Sequence, residues 1–102
     1  MNRLFRRRHI DGVTAHRHMR RVLLALLTDA GNLSLGTISA AAHVSAPRVV
    51  VDLAQLETKH WITSEWAPGP PPRRRFYRLT PYGWGRAYEL LGLTPSEVRR
   101  GA

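Results

Sequence analysis

The stretch Pro71–Gly83, PPRRRFYRLTPYG, decides how the rest of the chain is read. Prolines at its start exclude helix interior and central strand, because each lacks an amide donor. Arg73 to Leu79 (RRRFYRL) then predicts a strand, with Tyr77 and Leu79 on one face. Thr80-Pro81 predicts a helix start, a capping hydroxyl followed by a residue whose missing N–H costs nothing there. A strand that opens with three arginines therefore runs straight into a helix.

Downstream, Trp84, Ala87, Tyr88 and Leu91 recur at helical spacing and carry that helix to about Leu91. Thr94-Pro95-Ser96-Glu97 has the capping-box arrangement and predicts one more turn. Upstream, residues 67–72 (Ala-Pro-Gly-Pro-Pro-Pro) predict a loop, and Trp61–Trp66 (WITSEW) predicts a strand. The two strands make a hairpin, or wing.

Before the wing, Val49, Leu53 and Leu56 make the inner stripe of a helix from about Ala46 to Lys59, with Ser45 as cap and Pro47 in its first turn. A shorter helix from about Leu35 to His43 precedes it, capped by Ser34, with Ile38, Ala41 and Ala42 inward. Only His43-Val44-Ser45 joins them, so the pair has the helix-turn-helix layout. Met19, Val22, Leu23, Leu26 and Leu27 predict a first helix from Arg17 to about Ala30, stopped by Gly31-Asn32. Residues 1–16 read as a basic N-terminal arm and 17–102 as one domain. The expected fold is mainly α with a small β-hairpin, a winged helix-turn-helix of order α-α-α-β-β-α.

Charge narrows the function. Sixteen Lys+Arg against seven Asp+Glu give +9 over 102 residues. Residues 1–21 carry seven Arg and one acid, residues 73–102 seven Arg and two acids, and the middle only Arg48 and Lys59 against four acids. Bases segregated onto an arm and a wing point to a polyanion; a merely solubilising surface mixes its signs. The chain has no cysteine, which excludes disulfides and cysteine-based zinc sites and fits a reducing interior. No apolar run reaches membrane-span length, and the segment after the basic start is polar, unlike a secretory leader. The five histidines (9, 16, 18, 43 and 60) form no known metal signature, and no nucleophile motif, phosphate loop or paired carboxylates occur, so neither a metal, a cofactor nor an enzyme is expected.

The stretch from Arg21 to Leu91 resembles the PadR-like family of bacterial transcriptional regulators. RVLLALL (21–27), Ser45 with Leu53-Ala54-Gln55-Leu56-Glu57, WITSEW and above all PPRRRFYRLTPYG carry the likeness. It departs from the family pattern in having His60 where a Gly is common and Leu35-Gly36-Thr37 where a Gly-Tyr pair is common. It matches the short form, without a C-terminal dimerisation domain. The resemblance implies a sequence-specific, duplex-DNA-binding regulator acting as a repressor and a homodimer in the cytoplasm, on the nucleoid. Leu90, Leu91, Leu93 and the Trp84–Tyr88 face are the expected spare apolar surface for that dimer.

The residues give the chemistry. A helix fits the major groove, and cations on either side neutralise phosphates. With Val49, Leu53 and Leu56 inward, Ser45, Ala46, Pro47, Arg48, Val51 and Gln55 are expected toward the groove: Arg48 for a guanine, Gln55 for an adenine, Val51 for a thymine methyl. Arg73, Arg74 and Arg75 are expected on backbone or minor groove. Arg6, Arg7 and Arg8 of the arm either add a further contact or form a solvated basic tail. A non-specific architectural or phage DNA-binding protein shares the arm and wing without needing Arg48 or Gln55. A winged helix used as a protein-interaction module is the other alternative.

Overall fold

A computed structural model describes residues 9–28 and 31–93. Its elements in chain order are β1 (His9–Ile10), β2 (Val13–Thr14), α1 (Arg17–Thr28), β3 (Leu33–Ser34), α2 (Leu35–Ala42), α3 (Ala46–Thr58), β4 (Ile62–Trp66), β5 (Arg75–Leu79) and α4 (Pro81–Leu91). The fold is the expected mainly α winged helix-turn-helix.

The helices form where their stripes and caps direct. Met19, Val22, Leu23, Leu26 and Leu27 of α1 are buried, and so are Val49, Leu53 and Leu56 of α3. These pack with Ile38, Trp61, Ala87 and Leu90 into one core. Ser34 caps α2 by accepting from the Thr37 amide at 3.3 Å, and Thr80 caps α4 by accepting from Gly83 at 2.9 Å. Ser45 occupies the N-cap of α3, but its carbonyl, not its hydroxyl, receives the first amides, Arg48 N at 3.1 Å and Val49 N at 3.0 Å.

The wing is antiparallel, from Ile62↔Leu79 to Trp66↔Arg75, and β3 adds a third strand on the other side of β5 through Leu33↔Tyr77 and Ser34↔Phe76. The returning strand starts at Arg75 and not Arg73, since Arg73 and Arg74 still belong to the loop. At the wing's exit α4 comes close to the backbone. A Cβ on Gly83 would stand 1.8 Å from the Trp61 carbonyl oxygen, so only glycine fits. His60, just before the first wing strand, takes φ 63 in the left-handed region.

Three expectations need correction. Residues 9–16, read as the end of the basic N-terminal arm, form a β1–β2 hairpin packed on the core, with Val13 and Ala15 buried. Its turn is Asp11-Gly12, both at positive φ, a strong hairpin signal between Ile10 and Val13. Ala41 faces solvent, because only Ile38 and Ala42 of α2 turn inward. Leu90 and Leu91 are core residues and not spare surface, since α4 lies with that face against the fold; Trp84, Tyr88 and Leu93 are half-buried around it. Arg6, Arg7, Arg8 and the turn expected at 94–97 lie outside the described residues.

Candidate nucleic-acid interface

Helix α3 shows two faces. Val49, Asp52, Leu53 and Leu56 are buried, while Pro47, Arg48, Val50, Val51 and Ala54 face solvent. Val50 and Val51 are 49% and 56% exposed, so nothing within the described residues walls the helix off. Ser45, Pro47, Arg48 and Val51 are thus brought together on one open surface at the start of α3. Ala46 is half-buried there. Among the described residues Arg48 is in no ion pair.

Gln55 differs. It is half-buried, and its Nε2 donates to the Gly12 carbonyl at 3.1 Å, so this amide fastens the β1–β2 turn to α3. The same turn is latched from the other side. Tyr82 Oη and, at 3.2 Å, the Trp61 indole N–H donate to Asp11 Oδ2. The Tyr82 bond chiefly holds the Asp11 carboxyl below the usual carboxylate range; desolvation opposes it, and Trp61, Arg86 and Lys59 add smaller lowering effects. The Tyr82 phenol is pushed up in return, mainly by that bond to Asp11.

The three wing arginines also separate. Arg73 and Arg74 are exposed. Arg75 is half-buried: its Nε donates to Ser64 Oγ at 2.9 Å, and its terminal nitrogen lies 3.4 Å from Glu57 Oε2 of α3. Ser64 donates to the same Glu57 oxygen at 2.6 Å, and the guanidinium lies over Trp66 at 5.2 Å and near Tyr77 at 6.0 Å. Arg75 therefore braces the wing to α3. Between α2's start and the wing lies a cavity of about 710 Å³ bordered by Gly36, Thr37, Trp66, Arg74, Arg75 and Tyr77.

Beneath the start of α3 sits a group the sequence reading passed over. Asp52 is 2% exposed. Its Oδ1 lies 3.8 Å from His16 Nε2, and its Oδ2 has no hydrogen-bond partner among the described residues. Burial pushes its carboxyl up, and the charges of His16, Arg48 and His18 pull partly against that. The signal was available: position 52 falls within the stripe of 49, 53 and 56. Among the described residues no group of three or more His, Cys, Asp or Glu could hold a metal ion. No helix among them is long and apolar enough to cross a membrane.

No family model matches the sequence, and no curated protein matches it. Solved structures do. AbfR with its disulfide formed superposes with a TM-score of 0.61 at 23% identity, over 79% of this chain and 59% of that one. NadR in complex with 4-hydroxyphenylacetate gives 0.58 at 25% identity, over 81% and 55%. Wild-type MarR from E. coli in its apo form gives 0.58 at 20% identity, over 88% and 67%. The chain spans 59% and 55% of AbfR and NadR, so it corresponds to part of each. The likeness is one of fold, the winged helix-turn-helix.

Proposed function

We propose that this protein is a sequence-specific, duplex-DNA-binding transcriptional regulator that acts as a repressor, not an enzyme. The observation that carries the reading is the open first half of α3. Arg48 and Val51 stand exposed beside Pro47 and Ser45, on a helix whose opposite face is fixed in the core. Such a helix enters the major groove with its N-terminal residues at the base edges. Arg48 takes a guanine and Val51 a thymine methyl. Arg73 and Arg74, exposed at the wing, take phosphates or the minor groove; Arg75 and Gln55 serve by holding wing and hairpin to α3.

The structural neighbours are MarR-family winged-helix regulators, which supports the regulator reading; the PadR-like likeness rests on the Pro71–Gly83 block. Two copies on a palindromic site, acting in the cytoplasm on nucleoid DNA, would exclude polymerase by covering a promoter.

Selection of bound duplexes from a random pool tests this directly. A recurring motif with two-fold symmetry is the expected result. Arg48→Ala should relax preference at one position per half-site, while Arg73→Ala with Arg74→Ala should weaken all sequences and lower the salt slope by roughly 2. If unrelated DNA competes as well as the selected site, the protein is an architectural binder. If binding is weak and insensitive to salt, it is a protein-interaction module.

A further inference from the structure

A second cationic surface adjoins the start of α3. His16, Arg17 and His18 at the beginning of α1, together with Arg48 from α3, line an open cleft of about 450 Å³. Two helices thus direct two arginines and two histidines into one space. Among the described residues neither Arg17 nor Arg48 is in an ion pair. The carboxylate beneath them, coupled by charge to His16, Arg48 and His18, offsets only part of the rim's positive charge. Asp52 is buried, its Oδ1 faces His16 at 3.8 Å, and its Oδ2 is without a partner among the described residues.

The geometry at α1 orients this cluster. His16 Nδ1 accepts from the Met19 amide at 3.1 Å, so the ring caps the helix and turns Nε2 toward Asp52. The His18 ring stands edge-on to it, 5.7 Å between centroids. The amides of Arg17 and His18, in the first turn, have no intrahelical carbonyl to meet. The cleft therefore offers the Arg17 guanidinium, the His18 imidazole and first-turn N–H groups to a tetrahedral oxyanion, with the Arg48 stem at its edge.

We propose that this cleft is a seat for one phosphodiester of the DNA backbone, flanking the groove that α3 enters. The seat rests on the DNA-binding reading and adds a contact that the wing does not supply. Arg48 stands at the boundary between the two surfaces. Its position is set from the phosphate side while its end reaches for a base, so α1 fixes how deeply the first turn of α3 sits.

The test uses the full chain. Arg17→Ala with His18→Ala should lower duplex affinity roughly fivefold near 0.15 M salt and reduce the salt slope by about 1. In the unsubstituted chain, a 20-base-pair duplex should shift the ring resonances of His18 and the amide resonances of Arg17 and His18. Unchanged resonances there, while the duplex still binds and Arg73→Ala with Arg74→Ala still weakens it, would overturn the seat and leave the regulator reading standing. Should the unsubstituted chain bind no duplex, the regulator reading falls and titration with inorganic phosphate judges the cleft. Saturable shifts confined to His16, Arg17, His18 and Arg48 keep it as an oxyanion site, and their absence removes it.

Discussion

The two halves of α3 are built to opposite ends. In the second half the polar side chains are engaged within the fold: Gln55 on the Gly12 carbonyl, Glu57 with Ser64 and Arg75, and beyond them Trp61 against Gly83. In the first half Ser45, Pro47, Arg48 and Val51 lie open, and the acid beneath them, Asp52, has an oxygen unmatched among the described residues. A helix that must hold its place and also present an empty face does so by dividing the tasks along its length. The engaged half is committed to the fold, and the open half is left uncovered by the described residues.

Substitutions at the two ends should therefore read out differently. The largest effect belongs to the engaged end. Gly83→Ala places a methyl 1.8 Å from a backbone oxygen that cannot move aside cheaply. It should cost about 3 kcal/mol or more, read as a fall in thermal midpoint. A variant that melts like the parent would show that α4 is not seated on Trp61. Arg75→Ala should cost about 1 kcal/mol, because its ion pair is partly screened and the stacking on Trp66 adds to it. Urea melts measure that, and DNA affinity at matched folded fraction should change less than for Arg73→Ala with Arg74→Ala.

At the open end the sign reverses. Asp52→Asn should stabilise the fold by about 1 kcal/mol near neutral pH by removing a buried, half-partnered charge. The raised Asp52 carboxyl favours the folded state while protonated. Its contribution is complete below the ordinary carboxylate range and is lost as pH rises through its own raised value. The advantage of Asp52→Asn should accordingly shrink as pH falls from about 7 to about 4. Asp11, held low by Tyr82, titrates the other way: its contribution is complete above the ordinary range and fades as pH falls through its lowered value. On acidification Asp11→Asn, the less stable variant near neutral pH, and Asp52→Asn, the more stable one, should thus converge on the parent from opposite sides. The smallest effect is Arg48→Ala, which should move stability by less than about 0.5 kcal/mol while altering base preference. A large stability loss there would mean that the first half is also committed to the fold.

Most of the architecture was legible because it is local. Stripes at 19, 22, 23, 26 and 27 and at 49, 53 and 56, and the Thr80-Pro81 start, act within one or two turns. The β1–β2 hairpin was legible too, through Asp11-Gly12, but the nearby arginines drew the reading toward an arm. What could not be read needs partners distant in sequence. Arg75 looks like its two neighbours until the fold brings Glu57, 18 residues earlier, to its tip. Gln55 meets Gly12 across 43 residues. Leu90 and Leu91 fit either a core or a dimer face, and tertiary packing decides between them. Open positions on α3 were legible by subtraction from the buried stripe, whereas the cleft at α1 required two helices to be placed side by side.

The three-stranded arrangement β3-β5-β4 has a practical consequence. Strand β5 is hydrogen-bonded on both sides and passes through Thr80 directly into α4, so its register is locked below the Trp66↔Arg75 pair. Residues 68–73 lie beyond that pair and beyond the Ala67 N–H to Arg74 carbonyl bond of 2.7 Å, and form the tip of the ribbon. Their number and composition can be redesigned to lengthen or shorten the reach of the ribbon while the helices underneath keep their alignment.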